Sequence, residues 1–268
     1  MDEKNSKKAN NAFVIAEALS KSFPSTNVDK QGQVEVLRDV SFSLERGSFT
    51  TIFGPNGCGK TTTLNIIAGI LLPDSGSVSV GGSTFPNQHI GYVFQDFPAT
   101  LFPWKRTIDN IAYPLRLRGV SREDARNRAK ALLSHFLIEL PPYNYPYQLS
   151  GGQKQMTCIA RALMNDPVLL LLDEPFSALD YETRSFMQQK IMEIWNQTGT
   201  TVLFVSHELD EAIYLADNVI FLTRRPARVL RVLPIDLPRP RTPEMRSSTS
   251  FSRLRKEGLE VFYEALRT

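Results

Sequence analysis

The sequence has few cysteines and no long apolar run. Its 268 residues include two cysteines, Cys58 and Cys158, too few for a disulfide framework, and this favours a reducing, cytoplasmic setting. The longest apolar runs are Ile66–Leu72, which Gly69 interrupts, and Val168–Leu172. A membrane-spanning helix needs about 20 apolar residues, so the sequence predicts no transmembrane segment. The first twelve residues are polar, so we also expect no secretory signal.

Neither sign of charge dominates the chain as a whole, but the charge is unevenly distributed. The net charge is +3, yet the stretch from Phe221 to the end holds eleven basic and five acidic residues, a local charge of +6 against −3 for the rest. A basic tail of this kind could face anionic lipid, nucleic acid or an acidic partner. It could equally be an ordinary solvated surface. With 42% hydrophobic and 22% charged residues, the composition excludes a disordered or fibrous protein.

Strand-like and helical runs alternate along most of the sequence. The segments Ser48–Phe53, Val168–Leu172 and Thr200–Val205 are typical of buried strands, and Thr62–Ile70 can form a helix. Helical patterns dominate between about residues 96 and 163, and no repeat of 20–50 residues is present. The alternation predicts a parallel α/β core with an inserted helical subdomain.

A glycine-rich motif follows the first of these strands and precedes the helix. It matches the phosphate-binding pattern G-x-x-x-x-G-K-[ST] and consists of Gly54, Pro55, Asn56, Gly57, Cys58, Gly59, Lys60 and Thr61, followed by Thr62. Backbone N–H groups of such a loop and the helix N-terminus can bind a polyphosphate. We expect Lys60 to contact the β- and γ-phosphates and Thr61 to ligate Mg²⁺. The alternative is a glycine-rich turn with a surface lysine.

Polar residues at the ends of other strands predict the rest of the chemistry. Asp173 and Glu174 end a buried strand; Asp173 would hold Mg²⁺ and Glu174 would orient or deprotonate the attacking water, unless they only cap a helix or turn. Gln95 ends another strand and could contact the metal or the water. His207 also ends a strand and could donate to a γ-phosphate oxygen.

The LSGGQ segment predicts a second anion site. Ser150 and Gln153 have capping-box spacing, which by itself would only start a helix. Gly151 and Gly152 lie in the first turn, where each glycine weakens a helix by about 1 kcal/mol. Glycines at a helix N-terminus would let a phosphate approach the free N–H groups closely.

Together the segments GPNGCGKTT, LSGGQ, LLLLDEP and SALD, with Gln95 and His207, resemble the ATP-binding subunit of ABC transporters over about residues 13–240. The resemblance implies a P-loop NTPase cassette: an α/β fold with a mostly parallel sheet core, an antiparallel β subdomain and a helical subdomain at about 96–163. Residues 1–12 would then be a flexible N-terminus, and residues 241–268 a basic, helical C-terminal tail.

The resemblance also implies a dimer and assigns roles to further residues. Two subunits, identical or paralogous, would pack head to tail and enclose ATP and Mg²⁺ between the phosphate loop of one and the LSGGQ segment of the other. Ser150, Gly151, Gly152 and Gln153 would contact the partner's γ-phosphate, Asp180 would lie at the dimer interface, and Phe23 would stack on adenine. Metal contacts would come from Thr61, Gln95 and Asp173, and catalysis from Glu174, His207, Lys60 and Gln95.

The segments LFPW, DEAIYLAD and LTRRPARVLRVLPIDLPRPR resemble the nitrate, sulfonate, taurine and bicarbonate importers. This implies an ATPase at the cytoplasmic face of the inner membrane that drives uptake of a small anionic solute. Its partners would be a transmembrane permease, contacted through Phe102 and Trp104, and a periplasmic or lipid-anchored solute-binding protein. The alternatives are a soluble ABC ATPase acting on nucleic acid or in cluster assembly, and a non-catalytic regulatory subunit; no nucleic acid is expected.

Overall fold

A computed structural model describes residues 12–25, 32–84 and 89–268. The predicted flexible N-terminus at residues 1–12 therefore lies outside the described residues except for Ala12. In chain order the strands are β1 Ala12–Pro24, β2 Gln33–Glu45, β3 Phe49–Phe53, β4 Ser75–Val80, β5 Ile90–Val93, β6 Leu169–Asp173, β7 Thr201–Ser206, β8 Asn218–Leu222 and β9 Val229–Pro234.

Helices occupy most of the chain between β5 and β6 and also its C-terminal end. In chain order the α-helices are α1 Lys60–Ile67, α2 Phe97–Thr100, α3 Thr107–Ile111, α4 Tyr113–Leu117, α5 Arg122–His135, α6 Gly151–Leu163, α7 Tyr181–Thr198, α8 Leu209–Leu215 and α9 Thr249–Ala265. Short 3₁₀ turns lie at Pro146–Gln148 and Pro243–Ser247. Of the described residues, none belongs to a helix long and apolar enough to cross a membrane.

The chain divides into two compact units, of which the first comprises residues 1–88 and 201–268. Its β2, β1 and β4 form an antiparallel sheet in that order. In a second sheet β3 pairs in parallel with β7 and β8, and β9 adds antiparallel to β8. Every residue of β3 and β7 is buried, as expected for parallel strands that are covered on both faces.

The second unit comprises residues 89–200 and carries α2 to α7 beside the parallel pair β5 and β6. Ser121 starts α5, because its hydroxyl accepts a hydrogen bond from the N–H of Asp124 (3.1 Å). The predicted fold class is confirmed: a parallel core, an antiparallel sheet and a helical region are all present. Two elements, the long helix α7 and the strand β9, were not predicted from the sequence.

The predicted helix at Thr62–Ile70 is shifted toward the N-terminus in the structure. It begins at Lys60, immediately after the phosphate loop, and ends at Ile67. Gly69 adopts a left-handed backbone (φ 71°), which ends the helix and leaves Ile70 exposed.

The basic C-terminal residues fold onto the first unit. Helix α9 buries Phe251, Leu254 and Val261. Its Arg253 pairs with Asp236 (2.8 Å) and its Arg255 pairs with Asp210 (2.9 Å). Part of the positive charge counted in the sequence is therefore balanced by acidic residues of the same unit.

Candidate functional site

The phosphate loop of the first unit connects β3 to α1. Gly57 and Gly59 have positive φ angles (72° and 123°) that glycine adopts without strain. Gly59 is also constrained by space, since a Cβ there would lie 2.6 Å from Leu37 Cδ2. Strand β2 thus packs against the loop at Gly59, and only glycine fits at this position, immediately before α1.

Lys60 is the first residue of α1, and its side chain folds back over the loop. It is 5% exposed, and its Nζ donates to the carbonyl oxygens of Gly54 (3.0 Å) and Pro55 (3.2 Å). The ammonium group therefore lies at the loop, where a bound polyphosphate would need it. Thr61 is exposed next to it. The alternative of a glycine-rich turn with a surface lysine is not supported, because Lys60 is buried.

Cys58 contributes its backbone to the loop while its thiol faces inward. The side chain is buried, and burial raises the pKa of the Cys58 thiol. Its N–H donates to the carbonyl of Pro55 (3.2 Å). A protonated, buried thiol is a weak nucleophile, so the position serves the loop through its backbone.

A cavity of 800 Å³ adjoins the phosphate loop within the first unit. It is lined by Gly54, Pro55, Asn56, Gly57, Cys58, His207, Arg224, Arg225, Phe262 and Leu266. The structure thus brings the predicted His207 to the same cavity as the loop. The two arginines and the two apolar residues of this lining were not predicted as part of the site, because the phosphate-binding pattern does not include them.

His207 is exposed directly after β7, at a turn that a buried hydrogen-bond pair fixes. Ser206 Oγ donates to Glu211 Oε2 (2.5 Å) and accepts from the N–H of Glu208 (3.0 Å). Because Ser206 is fully buried, this pair holds the chain on both sides of His207.

Phe23 lies near the end of β1, half-buried, opposite Val34 of β2. Lys21 Nζ lies 5.8 Å from the centroid of its ring. In the described part of the chain, the residues that line the cavity at the phosphate loop do not include Phe23. Stacking of Phe23 on adenine stays a prediction.

In the second unit, β5 and β6 bring Gln95 and Glu174 together. The strands are parallel neighbours, so their carboxyl ends meet at one edge. Gln95 Nε2 donates to Glu174 Oε2 at 3.4 Å. Glu174 has a left-handed backbone (φ 44°), an uncommon conformation for a non-glycine residue that clusters at functional sites.

Asp173, the last residue of β6, is almost fully buried. The pKa of Tyr92 on the neighbouring strand is raised, mainly because Tyr92 is buried and also because the negative charge of Asp173 lies nearby. A buried carboxylate at the end of a strand is the type of hard oxygen ligand that Mg²⁺ prefers. The Thr61 hydroxyl and the Gln95 amide oxygen are also hard oxygen ligands, so the three predicted residues have the chemistry that Mg²⁺ requires.

The LSGGQ segment forms the predicted capping box at the start of α6. Ser150 Oγ accepts from the N–H of Gln153 (3.2 Å), and Gln153 Oε1 accepts from the N–H of Ser150 (3.0 Å). Ser150 and Gly151 are exposed. A Cβ on Gly152 would lie 2.6 Å from Thr183 Cγ2 of α7. Gly152 therefore has a packing role in addition to the predicted approach of a phosphate.

Asp180 of the SALD segment caps α7. Its carboxylate accepts from the N–H (3.0 Å) and the hydroxyl (2.7 Å) of Thr183, and these hydrogen bonds lower the pKa of Asp180. Asp180 and Gly152 thus both contact Thr183, a residue that sequence reasoning missed. The spacing Asp-x-x-Thr at the start of α7 could have indicated the cap. The role of Asp180 in a dimer stays a prediction.

The comparisons with known proteins agree with these features. The family model described as ABC transporter matches residues 37–177. The uncharacterised ABC transporter ATP-binding protein MJ0412 of Methanocaldococcus jannaschii is 41% identical over 231 residues, 85% of each chain. The aliphatic sulfonates import ATP-binding protein SsuB of Bacillus cereus is 40% identical over 86% of this chain and 90% of its own. The taurine import ATP-binding protein TauB of Pseudomonas aeruginosa is 40% identical over 94% and 96%.

Among solved structures, the chain is similar to a dimeric post-hydrolysis state of the ATP-binding cassette MJ0796 bound to ADP and Pi. The TM-score is 0.72 at 29% identity, and the match covers 84% of this chain and all of that one. The predicted resemblance is thereby confirmed. Because the family model spans more than half of the sequence and these relatives align with most of it, the chain belongs to the ABC transporter family.

Proposed function

We propose that the chain is the ATP-hydrolysing subunit of an ABC importer. The observation that carries this proposal is the presence in one chain of a phosphate loop with Lys60 folded over it and a capped LSGGQ helix with an exposed Ser150. The SsuB and TauB relatives are named as import ATP-binding proteins, which favours import over the soluble alternative. The intact Glu174 and His207 argue against a non-catalytic subunit.

The reaction would be in-line attack of water on the γ-phosphate. Lys60 and the loop N–H groups would position the phosphates. Mg²⁺, for which Thr61, Asp173 and Gln95 are the proposed ligands, would supply positive charge when bound. Glu174 orients the water and takes its proton. The Gln95 amide that donates to Glu174 holds that carboxylate in place.

Two copies would share each nucleotide. Ser150 and the N-terminus of α6 are exposed in the isolated chain and would contact the γ-phosphate bound to a second copy. ATP carries that phosphate and ADP does not, so ATP favours the closed pair by its differential affinity. The dimeric state of the MJ0796 cassette with ADP and Pi supports such a pairing.

The membrane subunit would bind next to Trp104. The apolar stretch after Gln95 divides in the structure: Leu101 is buried, whereas the Trp104 side chain is 71% exposed. Phe102 lies between them, half-buried, with its ring 5.7 Å from that of Trp104 and 4.5 Å from that of Tyr113. Trp104 borders a cavity of 490 Å³ whose other lining residues are Lys105, Arg106, Asp109, Tyr113, Arg116, Leu117, Arg122 and Tyr145.

This surface suits a cytoplasmic helix of a permease. Its four basic residues outnumber the single acidic one, Asp109, so the helix that docks there would carry an acidic residue beside an apolar one. The chain would then act at the cytoplasmic face of the inner membrane as a peripheral subunit, with a periplasmic or lipid-anchored solute-binding protein in the same system.

The solute would be a small organic anion such as a sulfonate, as the names of the relatives suggest. Phosphate release by the purified chain with MgATP tests the ATPase. Uptake of labelled taurine by cells that express the chain with its permease and binding protein tests import, with nitrate as the competing substrate. Lack of phosphate release with or without the permease would contradict the proposed function.

A further inference from the structure

The connection between β8 and β9 passes directly beside the phosphate loop. Residues 223–228 close as a tight turn, in which Thr223 N–H donates to the carbonyl of Arg228 (3.0 Å) and Arg228 N–H donates to Thr223 Oγ1 (3.0 Å). No part of the ATP-binding motifs lies in this turn. Its position next to the loop therefore calls for a separate explanation.

Two other elements of the first unit hold the backbone of this turn. Ala227 N–H donates to the carbonyl of Val36 (2.8 Å), and Arg38 N–H donates to the carbonyl of Ala227 (2.9 Å), so the turn forms a short bridge with β2. Arg224 N–H donates to the carbonyl of Ala265 at the end of α9 (3.3 Å). Hydrogen bonds of the backbone thus fix the chain on both sides of Arg225, independently of the contacts that the Arg225 side chain makes.

The side chain of Arg225 reaches the phosphate loop. Its Nε donates to the carbonyl oxygen of Gly57, the residue with φ 72°. The guanidinium lies against this glycine, since a Cβ on Gly57 would lie 3.5 Å from Arg225 Nη2. Hydrogen bonds with a charged donor are stronger than neutral ones.

This contact fixes one peptide plane of the loop at both ends. The peptide between Gly57 and Cys58 is planar, so its C=O and N–H point in opposite directions. Arg225 binds the C=O, and the N–H of Cys58 donates to Pro55 (3.2 Å). Glycine allows many backbone conformations, and these two hydrogen bonds select one of them just before α1 begins.

We propose that Arg225 is a positioning residue that holds the phosphate loop in its nucleotide-binding shape. It acts through the Gly57 carbonyl and does not contact the nucleotide itself. This inference rests on the proposed binding of ATP by the loop. Because the loop binds phosphates that ATP and ADP share, loss of the Arg225 side chain weakens the binding of both nucleotides by the same factor.

The test is a titration of the full chain with fluorescent ADP and a non-hydrolysable ATP analogue. Arg225→Ala is expected to raise both dissociation constants by about tenfold, the scale of one charge-assisted hydrogen bond. The melting temperature without nucleotide is expected to stay near that of the wild type. Arg228→Ala is the matched control: it removes a charge from the same turn, but its side chain pairs with Asp39 at the surface (3.4 Å).

Three results would overturn the inference. The first is an unchanged ADP affinity in Arg225→Ala. The second is a loss of affinity for the ATP analogue alone, which would make Arg225 a γ-phosphate ligand, and the third is an equal loss of nucleotide affinity in Arg228→Ala. Should Arg225→Ala fail to fold, Arg225→Gln, which keeps most of the stem, takes its place under the same criteria. A wild-type chain that bound neither nucleotide would overturn the proposed function as well, whereas tight wild-type binding with an unaffected variant overturns the inference alone.

Discussion

Gly152 of the LSGGQ segment lies against Thr183 of α7, with room for no side chain: a Cβ on Gly152 would lie 2.6 Å from Thr183 Cγ2. Gly152→Ala is therefore expected to lower the free energy of unfolding by about 1–3 kcal/mol, the usual cost of overpacking. Urea denaturation of the purified chain measures the change.

Gly151→Ala is the control for this prediction, because a Cβ on Gly151 would meet Leu179 Cδ2 only at 3.7 Å, an ordinary contact. Thr183→Ser removes the clashing methyl group and keeps the hydroxyl that donates a hydrogen bond to Asp180. Combined with Gly152→Ala it is expected to recover most of the loss. Equal stability of the two alanine variants would contradict the steric explanation.

The second prediction concerns Lys60. Its ammonium lies at the loop carbonyls of Gly54 and Pro55, so it is already placed for a polyphosphate. Lys60→Ala is expected to weaken MgATP binding by about tenfold to a hundredfold. Calorimetric titration measures the affinity, and Lys130→Ala, which removes an exposed lysine, is expected to bind like the wild type. Wild-type affinity in Lys60→Ala would show that the loop does not hold the phosphates.

A third prediction uses the ion pair between α3 and α5 in the second unit. Asp109 accepts from Arg126 through Nε and Nη2 (2.7 Å each), and this lowers the pKa of Asp109 from its ordinary value of 3.8. A carboxyl with a lowered folded pKa stabilises the fold above its unfolded pKa and loses that effect as the pH falls through the folded value.

Asp109→Asn is accordingly expected to destabilise the chain by about 1 kcal/mol near pH 7. The difference from the wild type should shrink as the pH is lowered below about 4. Urea midpoints across this range measure it, with Glu139→Gln as an exposed control in the same unit. A difference that stays constant with pH would exclude the ion pair as its cause.

The fourth prediction separates coupling from catalysis at Trp104. Because this side chain is mostly exposed, Trp104→Ala is expected to keep the fold and the basal ATPase rate within about twofold, while stimulation by the permease falls by about tenfold, as for a hot-spot aromatic residue. Tyr263→Ala, an exposed aromatic residue of the first unit, is the control. Full stimulation of Trp104→Ala would place the permease contact elsewhere.

The parts of the fold that depend on short-range sequence patterns could be predicted from the sequence. The capping box of Ser150 and Gln153 and the strand before Asp173 depend on local spacing and on apolar runs, and the structure contains both. The shared edge of Gln95 and Glu174 follows from parallel pairing of two strands.

Long-range contacts could not be predicted in the same way. Arg225 contacts a loop 168 residues earlier in the chain, and no spacing rule relates it to Gly57. The glycine at 152 was explained from the sequence by phosphate approach alone, because the methyl group of Thr183 comes from another helix. Side-chain packing between distant segments therefore supplied what periodicity and motifs did not.

In the proposed cycle, ATP closes two copies of the chain and Glu174 starts the hydrolysis that reopens them. Glu174→Gln keeps the size of the side chain but removes the base, so hydrolysis should fall by about a hundredfold or more while ATP still binds. The decisive measurement is the molar mass of this variant by light scattering with ATP, with ADP and without nucleotide. We expect a dimer with ATP and a monomer in the other two conditions. A monomer in all three, or hydrolysis at the wild-type rate, would contradict it.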